Sequence, residues 1–290
     1  MNQNNVVNNE AKAAIREQPV AFGSNGFKLN GKVILPENAS AESPVPAAVL
    51  CHGFGSSHRA MQDSARILAG QGVAALIFDF RGHGLSEGIL DGNQAEDAVD
   101  AWNTLRQLPE VDESRMGLAG HSLGALSAII AAGKVGSPKA LVALSCPPPI
   151  TNDTYPGLDE DFGRWGRKHS HVVEVPKRGT LPWLSGIPAV AARIWMYATR
   201  HYVRIHGKQF VEGMIKANIA EVLGKLNNCA KLFVFCEGDT ITPYNKSVLV
   251  YEAACEPRER FLSRGKHGTP IARGHLRSQW TSWIAESLLD

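Results

Sequence analysis

The chain has 290 residues with 44% hydrophobic and 20% charged content, the balance of a globular protein long enough for one large α/β domain with an insertion or for two small domains. Thirty basic against 28 acidic residues leave a formal charge of +2, too small an excess to argue for a nucleic-acid partner. No run of eighteen apolar residues occurs, which excludes a helical membrane span.

The Asn-rich start lacks the basic and apolar regions of a signal peptide, so residues 1–18 are expected to be a flexible tail on a cytoplasmic protein. The five cysteines, an odd number in no C-x-x-C arrangement, fit reduced thiols in that compartment. Residues 19–22 and 27–36 flank the turn Gly23-Ser24-Asn25-Gly26 and predict an antiparallel opening. The apolar run 47–51 ends in a Gly-rich loop, as a strand buried on both faces does. A helix over 61–71, a buried strand over 73–79, an amphipathic helix over 93–108 and a strand at 115–119 follow. Residues 125–134 form the next predicted helix and 140–145 the next strand. This alternation predicts a mostly parallel sheet with helices on both sides. The alternation breaks at Cys146-Pro147-Pro148-Pro149 and resumes at 232–236. A helix at 246–255, a strand at 260–263 and a final helix at 276–288 complete the pattern. Residues 19–146 and 229–290 therefore read as the core and 147–228 as a cap, mostly helical over 187–226.

Between the strand at 115–119 and the helix at 125–134 stands Gly120-His121-Ser122-Leu123-Gly124, a G-x-S-x-G pentapeptide in a strand-turn-helix setting. Glycines two residues to either side of Ser122 remove Cβ atoms where strand and helix backbones must pass closely. A serine hydroxyl needs a base to take its proton and a third group to fix that base. With this elbow, acid and base should follow the serine in the chain. Asp239, just past the strand at 232–236, is the candidate acid. His267, bracketed by Gly265 and Gly268 after the last strand, is preferred as base to His275, which opens the final helix. The developing oxyanion needs two backbone N–H donors, and Leu123 supplies one. Phe54, in the loop His52-Gly53-Phe54-Gly55, is the candidate for the other.

Taken with Asp79-Phe80-Arg81-Gly82-His83-Gly84-Leu85-Ser86, these motifs resemble the α/β-hydrolase superfamily, in the serine-hydrolase branch of carboxylesterases, feruloyl-type esterases, monoacylglycerol lipases and serine aminopeptidases. The resemblance spans residues 20–146 and 230–290. It implies an eight-stranded, mostly parallel sheet with a mainly helical cap after the sixth strand. By that resemblance Arg81 and His83 stabilise loops near the site, and Asp79 is a backup acid in the wrong chain order. Trp165, Trp183, Trp195 and Tyr197 of the cap either line an acyl or aryl pocket or pack the cap onto the core. No zinc spacing or dinucleotide motif occurs, so neither metal nor cofactor is expected. The expectation is a serine hydrolase acting on carboxylic esters of short to medium acyl or aryl type through an acyl-enzyme with a Ser-His-Asp triad. A peptidase or acyltransferase of this fold, a non-catalytic binding protein of it, and a homodimer all stay open.

Overall fold

The computed structural model describes residues 14–136, 138–149, 171–176, 191, 198–200 and 202–290. Strands β1 (Ile15–Ser24) and β2 (Phe27–Pro36) form the expected hairpin. Asn25 and Gly26 both take positive φ at its tip, as a two-residue turn matched to the strand twist requires. The hairpin starts earlier than predicted: Ile15 to Gln18, expected in the tail, pair with residues 33–36 of β2.

The next strands are β3 (Val45–Cys51), β4 (Ala74–Phe78), β5 (Val111–His121) and β6 (Ala140–Leu144). After the insertion come β9 (Ala230–Cys236) and β10 (Arg258–Ser263). Together with the hairpin they build one eight-stranded sheet in the order β1-β2-β4-β3-β5-β6-β9-β10. Within this sheet the described pairings of β1 with β2 and of β2 with β4 are antiparallel and the rest parallel.

Every residue of β3, β4 and β6 is buried, because helices cover both faces of the sheet. Alternate residues serve two separate cores: Ala47, Val49 and Cys51 enter one, Ala48 and Leu50 the other. Helices α1 (Gln62–Gly70) and, at the chain's end, α8 (Gly274–Leu289) cover one face. On it Trp280, Ile284 and Leu288 are fully buried, each contributing about 1.5–3 kcal/mol of transfer free energy. Helices α2 (Gln94–Arg106) and α3 (Leu123–Val135) cover the opposite face. Helix α6 (Tyr244–Glu252) adds Val250 there, and the short α7 (Thr269–Ala272) leads into α8.

The insertion contributes strands β7 (Val172–Pro176) and β8 (Tyr202–His206), an antiparallel pair, then helices α4 (Gly207–Lys216) and α5 (Ile219–Lys225). Within 187–226, a stretch expected to be mostly helical, the described residues form the strand β8 as well as the helices α4 and α5. Val203 and Ile205 alternate with more exposed neighbours and are buried in the main core, a period of two that favours a strand. Backbone bonds fasten β8 to the loop after β4: Leu90 N–H donates to the Arg204 carbonyl at 2.8 Å and Arg204 N–H to that of Gly82 at 2.9 Å. Beneath this loop Arg81 and Asp97 form a fully buried ion pair, which Ser24 joins by donating to Asp97 at 2.7 Å.

Candidate active site

Because β5, β6, β9 and β10 are neighbours and parallel, the residues that follow them line up along one edge of the sheet. Ser122 follows β5, Ser145 follows β6, Asp239 follows β9 and His267 follows β10.

Ser122 holds φ 56° and ψ −119°, a conformation non-glycine residues rarely adopt, and its N–H donates to the Leu144 carbonyl at 2.9 Å. The expected close approach is present: a Cβ on Gly120 would strike the Gly124 backbone, and one on Gly124 would strike the carbonyls of Cys51 and His52. Leu123 is the first residue of α3, where a backbone N–H has no acceptor within its own helix. The loop after β3 lies against this turn, since a Cβ on Gly53 would come within 3.3 Å of the Ser122 Cβ. Phe54 is half-buried in that loop, edge-on to His83 and 6.1 Å from the ring of Phe210 in α4.

Histidines hold the Phe54 loop in place. His83 Nε2 accepts from Gly55 N–H at 3.2 Å, while its Nδ1 donates to the Arg81 carbonyl at 3.1 Å. His52 Nε2 likewise accepts from Phe80 N–H at 3.1 Å, so its proton sits on Nδ1, toward the Gly53 carbonyl at 2.8 Å.

His267 Nδ1 lies 2.8 Å from Asp239 Oδ2. Asp239 is buried, and its Oδ1 accepts from the N–H groups of Ile241 and Thr242, each at 2.9 Å. The Thr242 hydroxyl donates to Oδ2 at 2.7 Å. Burial works to raise the Asp239 pKa, but the bonds from His267 and Thr242 outweigh it and hold the carboxyl down at about 2. A carboxylate only accepts, so the proton facing it is on Nδ1 and the Nε2 lone pair of a neutral His267 is left free.

The His267 backbone is held as well. Its carbonyl accepts from His121 Nε2 at 2.8 Å and from the Ser145 hydroxyl at 3.0 Å. The rings of His121 and His267 stand 4.8 Å apart. His121 is the residue before Ser122, so the His267 loop is tied directly to the turn.

His275 is exposed near the start of α8. Asp79 is engaged elsewhere, with Oδ1 3.0 Å from His58 Nδ1. Trp165, Trp183, Trp195 and Tyr197 lie outside the described residues. His121, Ser145 and Thr242 were not singled out by sequence. Thr242 alone carried a signal, Asp-x-x-Thr, in which the carboxylate caps the amides two and three residues on. Among the described residues no group of three or more His, Cys, Asp or Glu side chains is arranged to hold a metal, and no helix is long and apolar enough to cross a membrane. All five cysteines are free thiols.

Thiohydrolase apmlB of Arthrinium phaeospermum is 34% identical over 128 residues, 42% of this chain and only 41% of that protein's length. A thiohydrolase of Eupenicillium brefeldianum is 25% identical over 257 residues, 81% of this chain and 82% of its own. Among solved structures, Est1E from Butyrivibrio proteoclasticus with bound ferulic acid has a TM-score of 0.66 at 20% identity, covering 93% of this chain and 98% of that one. The complex of DcsB with its substrate analogue has a TM-score of 0.71 at 21% identity, covering 95% and 100%. At such identities these two structures establish the fold. The sequence model of the Alpha/beta hydrolase family matches residues 48–276, from within β3 to the start of α8, and so takes in the turn at Ser122 and the Asp239–His267 pair: the chain belongs to the alpha/beta hydrolase family.

Proposed function

We propose that this hydrolase cleaves carboxylic esters through an acyl-enzyme on Ser122, with His267 as base and Asp239 as its orienting acid. The observation that carries the reading is the 2.8 Å contact between His267 Nδ1 and a buried, ionised Asp239, on a loop bonded to the residue beside Ser122. The free Nε2 takes the Ser122 proton as Oγ attacks the acyl carbonyl, and the imidazolium is stabilised by the Asp239 carboxylate. The N–H groups of Phe54 and Leu123 hold the oxyanion. His267 then gives its proton to the departing alkoxide, and water deacylates the serine with the same base.

The thiohydrolase relatives favour a second substrate reading, thioesters. The acyl-enzyme is the same, but a thiolate leaves with less need of a proton.

A fluorophosphonate probe should label the protein stoichiometrically, and Ser122→Ala should abolish both labelling and hydrolysis of p-nitrophenyl acetate. Labelling that persists in Ser122→Ala would refute the assignment. Comparing kcat/KM for an oxygen ester and a thioester of one acyl group separates the two substrate classes.

A further inference from the structure

We infer that His121 and Ser145 are positioning residues, which clamp the backbone carbonyl of His267 and thereby set the base's distance from Ser122. The inference rests on the triad reading above.

His267 needs such a clamp because of where it sits. It lies between β10, which among the described residues is an edge strand paired with β9 alone, and the four-residue α7, in a loop whose Arg264 and Lys266 are exposed. The bond that its Nδ1–H donates to Asp239 fixes one ring nitrogen but leaves the ring free to swing with its own backbone. Two donors on the carbonyl of the same residue remove that freedom. Both come from the middle of the sheet. His121 closes β5 and is covalently joined to Ser122, so serine and base are linked by one peptide bond and one hydrogen bond. Ser145 follows β6 at φ 45°, its N–H donating to the Val234 carbonyl in β9 at 2.9 Å, and its own carbonyl lies 3.3 Å from the Thr242 hydroxyl. Ser145 thus touches the segments that carry both acid and base.

The chemistry of the two donors suits this role. A carbonyl only accepts, so His121 carries its proton on Nε2. Burial, the largest influence, pushes its pKa down to about 4 despite the carbonyl bond, so near neutral pH the ring is an uncharged donor. A cation 4.8 Å from His267 would oppose formation of the imidazolium; a neutral ring and a hydroxyl hold the base without that penalty.

The test is steady-state hydrolysis of a p-nitrophenyl ester alongside the rate of fluorophosphonate labelling. His121→Phe keeps a ring but removes the donor, whereas His121→Gln keeps an N–H near the Nε2 position. His121→Phe should lower kcat about 10- to 100-fold with KM within about twofold, the size of loss expected when a reacting group shifts by about an ångström. His121→Gln should recover most of the loss, and Ser145→Ala, which removes one neutral hydrogen bond, should lower kcat about 3- to 10-fold. Labelling should still reach completion in each, more slowly in His121→Phe. A folded His121→Phe with wild-type kcat, or a His121→Gln as slow as His121→Phe, would overturn the clamp. If His121→Phe fails to fold, Ser145→Ala decides, and an unchanged kcat there overturns it. A wild-type protein that takes no label would instead remove the triad reading itself.

Discussion

His267 approaches Asp239 at 2.8 Å and His58 approaches Asp79 at 3.0 Å, each through Nδ1. Both carboxylates are 1% exposed, and the imidazoles are 13% and 12% exposed, so neither distance nor burial tells the pairs apart. Both acids are also depressed to about 2: burial pushes each upward, and the bonded histidine and backbone amides outweigh it. The company differs. Asp79 accepts the backbone N–H of His58 at 2.7 Å and of Leu85 at 2.9 Å, so it staples the loop after β3 to the loop after β4. His58 faces a surface groove lined by Val20, Lys32 and Leu85. His267 instead borders the turn at Ser122 through His121. A histidine–aspartate pair is therefore an orienting device of general use, and only its neighbours make one a candidate for chemistry.

The largest expected contrast is in turnover. His267→Ala should cut ester hydrolysis about 10⁴-fold, while His58→Ala should stay within about tenfold of wild type. Equal losses in the two variants would erase the distinction. Next, Asp239→Asn should lower kcat about 10³- to 10⁴-fold and, because its carboxylate also accepts two backbone N–H groups, should cost about 1–3 kcal/mol in urea unfolding. Asp79→Asn should cost a similar amount, about 1–3 kcal/mol, in urea unfolding, because a charged acceptor of two backbone N–H groups is lost there too, while kcat stays within about tenfold, so turnover and not stability separates the two acids.

The last contrast concerns pH. The depressed acids stabilise the fold above their ordinary value of 3.8, and that contribution is lost as pH falls toward 2. His121 acts in a higher window. Its folded pKa of about 4 lies below the ordinary 6.5, so the unfolded chain binds the extra proton and stability falls as pH drops from 6.5 to 4, by up to roughly 3 kcal/mol. Urea unfolding of His121→Gln should show a flatter profile over that interval. A profile that superimposes on wild type would mean that burial of His121 carries no such cost.

Ser122 was legible because everything that makes its turn sharp lies within five residues. The meeting of Asp239 with His267 was legible by position, each lying just beyond a predicted strand. The strand β8 was not: its buried alternation covers only Tyr202–His206 and is embedded in a stretch that otherwise reads as helix. The start of β1 was missed for a similar reason, since Ile15 to Gln18 owe their conformation to pairing with β2 rather than to their own pattern. His121 occupies a variable position of its motif, and Ser145 read only as the end of a strand.

By itself the sequence determined the buried parallel strands, the hairpin and the turn at Ser122, because side-chain periodicity and glycine placement act over a few residues. Tertiary structure alone decided that His58 meets Asp79 and that the His267 carbonyl receives two donors. The bonds to that carbonyl join residues 146 and 122 positions apart in the chain, and they exist only because the strand order β5-β6-β9-β10 brings four distant loops side by side.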